Sequence, residues 1–210
     1  MHDLILQQPQ PEDGPATQLF LLFHGVGSNA EDLRGLGNAL AARHPKAWVV
    51  SVQSPDPSDL GQGWQWFSVR GVTSDNRAYR VAKAMPRFVQ TVARWQQQSG
   101  VDAPGTTLLG FSQGAIMALE STQEPQPVAG RVVAMAGRFG APPQRAIGHA
   151  RIHLLHGQAD GIVPAQASIE AQAQLAALRA DVTLDLFPGL GHGIDARMSA
   201  RLWERLAAAE

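Results

Sequence analysis

The chain contains no cysteine, which excludes disulfides, a thiolate nucleophile, iron–sulfur ligation and any cysteine-built zinc site. Excess charge of one sign is missing as well. Its 17 basic and 18 acidic side chains leave a formal net charge of −1, too balanced for a broad electrostatic grip on nucleic acid or anionic lipid. Lysine occurs only at Lys46 and Lys83, and no basic run interleaves with aromatic residues as in nucleic-acid binders. Long hydrophobic runs are also lacking: Leu19–Phe23 falls far short of the roughly 18 residues that cross a bilayer. The first residues, Met1 to Leu6, are acidic where a signal peptide is basic, so the expected residence is cytoplasmic, without membrane insertion. Nothing indicates a homo-oligomer. With 44% hydrophobic residues, a chain of this length can bury roughly 70% of its unfolded surface, and residues 1–210 read as a single domain.

Short apolar runs alternate with helical patterns along the chain. Leu19–Phe23, Trp48–Val52, Thr106–Leu109, Arg131–Met135, Ile152–Leu155 and Val182–Phe187 read as buried strands, with Leu4–Leu6 as a short edge strand. A helix from Ser28 to His44 opens on Ser28-x-x-Glu31, a capping-box pattern. From Asn76 to Gln98, Val81, Met85, Phe88, Val89, Val92 and Trp95 form one apolar stripe. Pro164 suits the first turn of a helix running to about Arg179, and a last helix after Gly193 turns Met198, Leu202 and Leu206 inward. Strands apolar on both faces, alternating with helices, predict an α/β fold with a mostly parallel sheet covered on each side. The irregular stretch Ser54–Gly71 is long for a connection and holds Trp64, Trp66 and Phe67. It reads as a binding-site wall, or alternatively as a loop stapled down by aromatic packing.

Gly110-Phe111-Ser112-Gln113-Gly114 follows a strand and precedes a helix, the setting of a nucleophile elbow that presents the Ser112 hydroxyl at the carboxyl edge of the sheet. Serine needs a base to take its proton. Of the histidines after Ser112, His153 and His156 flank or belong to a strand and His149 lies in a polar turn. His192, between Gly191 and Gly193 just past the last strand, is free to reach that edge. Asp160 leaves the carboxyl end of a strand, whereas Asp181 sits at an amino end and Asp185 inside a strand, so Asp160 is the expected orienter of His192. The glycine-rich turn His24-Gly25-Val26-Gly27 ends an early strand. The N–H groups of Val26 and Gln113 are therefore the candidate oxyanion donors. His24 has no second ligand at metal spacing and is expected to bond within its turn.

With these residues in place, the sequence resembles the carboxylesterase/acyl-protein thioesterase family of α/β-hydrolases. The motifs that carry the likeness are Leu22-Phe23-His24-Gly25-Val26-Gly27, Gly110-Phe111-Ser112-Gln113-Gly114, His156-Gly157-x-x-Asp160 and Gly189-Leu190-Gly191-His192. Trp66-Phe67-Ser68-Val69, Gly71-Val72-Thr73-x-Asp75-Asn76-Arg77 and Met117-Ala118-Leu119-Glu120 are closer still to small bacterial esterases of the YpfH type. The resemblance implies an α/β-hydrolase fold without a large cap domain, no cofactor and no metal. It also implies hydrolysis of carboxylic esters or thioesters, with Ser112, Asp160 and His192 as triad and Val26 and Gln113 as oxyanion hole. Gly25, Trp66, Phe67 and Phe139 are then the expected substrate contacts. Ser68, where many members carry aspartate, and Ala136-Gly137-Arg138-Phe139, in place of a common Ser-Gly, lie near the expected acyl pocket and leave substrate preference open.

The expectation is a serine carboxylesterase acting on a small, weakly charged or uncharged ester. Two rivals stand beside it: a thioesterase or lysophospholipase for longer acyl chains, and a non-catalytic binding module on the same fold.

Overall fold

The structure is a computed structural model and describes residues 2–10, 12, 14–145 and 150–207. The apolar runs become strands of one sheet: β1 (Leu4–Gln7), β2 (Leu19–Phe23), β3 (Trp48–Val52), β6 (Thr106–Phe111), β7 (Arg131–Met135), β8 (Arg151–Gly157) and β9 (Val182–Phe187). Two short strands within the aromatic loop, β4 (Asp56–Pro57) and β5 (Trp64–Gln65), pair separately as a hairpin. The seven strands lie in the order β1-β3-β2-β6-β7-β8-β9, and all pairs except the antiparallel β1–β3 are parallel. Every residue of β2 and β3 is buried, as strands covered on both faces require.

Helices α1 (Arg34–Arg43) and α5 (Ala196–Ala207) cover one face, while α2 (Ser74–Ser99), α3 (Gln113–Glu120) and α4 (Gln166–Ala177) cover the other. The stripe on α2 faces the core through Val81, Met85, Phe88, Val92 and Trp95, whereas Val89 is only partly buried. Met198, Leu202 and Leu206 of α5 are buried as the periodicity predicts.

Several boundaries move from their sequence positions for local reasons. The cap of the first helical segment is Asn29, not Ser28. Ser28 bridges to Trp64 across the aromatic loop, so the following residue becomes the extended cap. Asn29 Oδ1 accepts from Glu31 N–H (2.8 Å), and Asp32 replies to the Asn29 N–H (3.3 Å), so the box pairs Asn29 with Asp32 rather than Ser28 with Glu31. A short 3₁₀ turn over Ala30–Leu33 precedes α1. Helix α2 starts at Ser74, two residues before the expected Asn76, because Thr73 caps it and its N–H donates to Asn76 Oδ1 at 2.9 Å. Helix α4 begins at Gln166, two residues beyond Pro164. β6 and β8 run on to Phe111 and Gly157, which carries them to the edge where the site is built.

Candidate active site

Gly110 and Gly114 are glycine because the turn between β6 and α3 leaves no room. A Cβ on Gly114 would stand 2.1 Å from the Phe23 carbonyl oxygen, and one on Gly110 would stand 2.5 Å from the Ala115 backbone. Between them Ser112 adopts φ 51°, ψ −114°, a strained conformation of the kind that marks functional turns. Its N–H is held by the Met135 carbonyl of the neighbouring strand (2.9 Å), so the hydroxyl is fixed at the carboxyl edge of the sheet.

Ser112 Oγ donates to His192 Nε2 (2.9 Å), and His192 Nδ1–H donates to Asp160 Oδ2 (2.7 Å). These partners select one tautomer, with the proton on Nδ1 and a free pair facing serine. The other carboxylate oxygen, Oδ1, accepts from the N–H groups of Ile162 (2.8 Å) and Val163 (2.9 Å). Burial pushes the Asp160 carboxyl up. The bonds from His192, Val163 and Ile162 outweigh that effect and hold it below the usual aspartate value. The loop carrying His192 is bound to the loop carrying Asp160 through Ala159 N–H to Leu190 O (2.9 Å).

The turn after β2 lies against the serine: a Cβ on Gly25 would approach Ser112 Cβ to 3.2 Å. His24 braces that turn. Its Nδ1–H donates to Gly25 O (2.7 Å), and its Nε2 accepts from Ser54 N–H (3.2 Å). His24 is buried, which lowers its pKa and keeps the ring neutral. The Val26 and Gln113 N–H groups have no hydrogen-bond partner among the described residues.

The aromatic loop is fastened both to the turn after β2 and to Gln113, the residue after Ser112. Gly27 N–H donates to Trp64 O (3.0 Å), and Trp64 N–H donates to Ser28 O (2.8 Å). The Gln113 side chain clamps the next residues, accepting from Trp66 N–H (2.7 Å) and donating to Phe67 O (2.8 Å). This clamp is the functional feature that sequence reasoning missed, because Gln113 occupies a free position of G-x-S-x-G. Trp66 packs against Phe23 and Phe88 in the core, with ring centroids 6.0 and 5.0 Å apart. Trp66 and Phe67 also line, with α2, an open hollow of about 530 Å³. The loop is thus stapled to the core by its aromatic packing, and none of Ser112, Asp160 and His192 lines this hollow. Phe139 is buried beside a smaller hollow against α4.

The histidines and acids set aside earlier have other partners. His153 Nδ1 meets Thr183 Oγ1 (2.8 Å), and His156 is fully buried between Ser168 and Val163. Asp181 pairs with Arg151, and Asp185 faces α5, where Arg205 holds it (2.7 Å). His149 lies outside the described residues. No helix among the described residues is long and apolar enough to cross a membrane.

A mostly parallel sheet flanked by helices, without a cap domain among the described residues, and with a serine elbow at its carboxyl edge, defines an α/β-hydrolase. More narrowly, the chain belongs to the phospholipase/carboxylesterase family, which it matches over residues 8–209. It is 48% identical over 197 residues to Esterase YpfH of Escherichia coli (strain K12), spanning 93% of this chain and 84% of that one. The crystal structure of esterase PE8 matches with a TM-score of 0.85 at 28% identity, covering 94% of each chain. The Bacillus cereus carboxylesterase shares the fold, with a TM-score of 0.80 at 18% identity over 99% of this chain and 94% of that one.

Proposed function

We propose that this protein is a serine carboxylesterase that hydrolyses small or medium-chain carboxylic esters through an acyl-enzyme on Ser112, with residues 1–210 acting as one domain. The observation that carries the reading is the unbroken relay Ser112–His192–Asp160, at 2.9 and 2.7 Å. Ser112 Oγ attacks the ester carbonyl carbon as its proton passes to His192 Nε2. The carbonyl oxygen takes the electron pair and is stabilised by the N–H groups of Val26 and Gln113, a kind of contact worth ~10²–10³ in turnover. Collapse of this intermediate breaks the bond to the alcohol oxygen, which takes the proton from His192. A water then repeats the sequence: His192 accepts its proton, its oxygen attacks the acyl carbon, and the acid leaves as Ser112 is reprotonated. Asp160 stays ionised throughout and stabilises the imidazolium. Similarity to the curated esterase supports the ester as substrate.

Ser112→Ala should abolish hydrolysis of 4-nitrophenyl acetate and butyrate and labelling by a fluorophosphonate probe, with an unchanged circular dichroism spectrum. Retained hydrolysis would overturn the assignment. A chain-length series should decline beyond about eight carbons; activity that climbs toward palmitoyl esters would move the substrate class to long acyl chains.

A further inference from the structure

Just past the strand that neighbours the Ser112 strand stands an arginine without an ion-pair partner among the described residues. Arg138 follows β7, the neighbour of β6, and the preceding Gly137 is pressed onto the nucleophile helix, where a Cβ would lie 2.5 Å from Ala115 Cβ. The Arg138 Nε is buried without a hydrogen-bond partner, and no carboxylate among the described residues lies within ion-pair distance of its guanidinium. A buried, unpaired donor on a cation is costly unless something satisfies it. A second cation stands nearby. Arg77 is one turn ahead of Val81 on α2, and Val81 packs 3.2 Å from the Cβ position of Gly140 in the Arg138 loop. Arg77 is close enough to repel Arg138 and, like burial, to lower its pKa. Arg138 opens onto a small hollow of about 110 Å³, lined also by Phe139, Ala167 and Glu170. Glu170 is exposed and accepts from Gln166 Nε2 (3.3 Å), so it attracts Arg138 only from a distance.

We propose that Arg138, backed by Arg77, forms a carboxylate subsite beside Ser112, which recognises esters whose acyl chain ends in a carboxylate, such as half-esters of short dicarboxylic acids. The hollow is of carboxylate size, and the planar fork of arginine matches that group. The acyl part stays bonded to Ser112 through both half-reactions, so a subsite one strand away can act in each. This rests on the serine esterase reading and names the substrate class within it. It also departs from the weakly charged substrate expected from the overall balance of charge, because net charge is blind to a local pair of guanidiniums.

The test compares kcat/KM for mono-4-nitrophenyl glutarate with that for the neutral 4-nitrophenyl pentanoate. The wild type should prefer the glutarate, and Arg138→Gln should collapse the ratio of the two by roughly tenfold or more, as loss of a charge-assisted hydrogen bond implies. Arg77→Gln should reduce the ratio less. A purely structural role would lower both substrates alike and leave the ratio standing, which would overturn the subsite. Glu170→Gln reproducing the loss would identify Glu170 as the true partner of Arg138 and overturn it as well. If inorganic phosphate stimulates pentanoate hydrolysis in the wild type and not in Arg138→Gln, the site serves a free anion and not the substrate. Hydrolysis of neither ester would instead refute the esterase reading itself.

Discussion

At Asp160 three donors converge on one carboxylate, the Ile162 and Val163 N–H groups on Oδ1 and His192 Nδ1 (2.7 Å) on Oδ2, with His156 Nε2 standing 3.2 Å from Oδ2. His156 Nε2 faces only acceptors, Asp160 and the Val163 carbonyl (2.8 Å), so it carries the hydrogen and Nδ1 accepts from Ser168. Asparagine at 160 would keep the shape but offer an amide group to a ring held for an anion. Asp160→Asn should therefore lower kcat by about 10³–10⁴, as expected when the tautomer facing serine is lost. Steady-state hydrolysis of 4-nitrophenyl acetate measures this, and a fall of less than tenfold would deny Asp160 its orienting role. The residue types and their chain order were legible here. The placement of His156 beside the acid was not, since the sequence places it in a strand with no sign of which face its ring takes.

Between elements, the 54–71 segment depends on contacts that span the chain. Gln113 reaches back 46 and 47 residues to Phe67 and Trp66, and Arg80 on α2 donates to the carbonyls of Ser68 and Arg70 (2.7 and 2.8 Å). Gln113→Leu keeps the Gln113 backbone N–H but leaves the Trp66 N–H and Phe67 carbonyl buried without partners, at ~1–3 kcal/mol each. The urea midpoint should fall accordingly. Ester hydrolysis should fall with it, because the loop also holds Gly27 next to the Val26 N–H. Unchanged stability would show that the aromatic packing of Trp66 alone secures the loop. Aromatic content flagged this loop in the sequence, but a wall and a staple use the same residues, and it is the packing of Trp66 on Phe23 and Phe88 that shows the staple.

For the molecule as a whole, buried histidines set the acid limit of stability. His24, His153 and His156 are neutral in the folded state because burial lowers their pKa, in His153 to about 4 with Arg131, Arg205 and Arg151 adding repulsion. Unfolded, each takes up a proton near its usual 6.5. The unfolded chain therefore binds more protons as pH drops below that value, and stability declines until the folded histidine itself protonates. Each such group contributes a slope of up to about 1.4 kcal/mol per pH unit, so His153 acts between pH 6.5 and about 4. Asp160, lowered instead from the usual aspartate value, loses its contribution only at more acidic pH. Urea midpoints at pH 7, 6 and 5 should converge less steeply toward zero in His153→Leu than in the wild type; identical slopes would show that His153 titrates alike in both states.

The sequence by itself determined the alternation of strands and helices, the elbow, and the serine, aspartate and histidine of the proposed triad in order. Each of these is local: a run of apolar residues, a glycine pair that permits one tight turn, a polar residue at a strand's carboxyl end. Tertiary structure alone decided which donors meet Asp160, that Gln113 clamps the aromatic loop, that Asn29 replaces Ser28 as cap, and that Arg138 has no ion-paired carboxylate among the described residues. The reason is physical. Hydrogen-bond satisfaction and charge balance are settled between groups tens of residues apart, and a list of residues carries no distance between them.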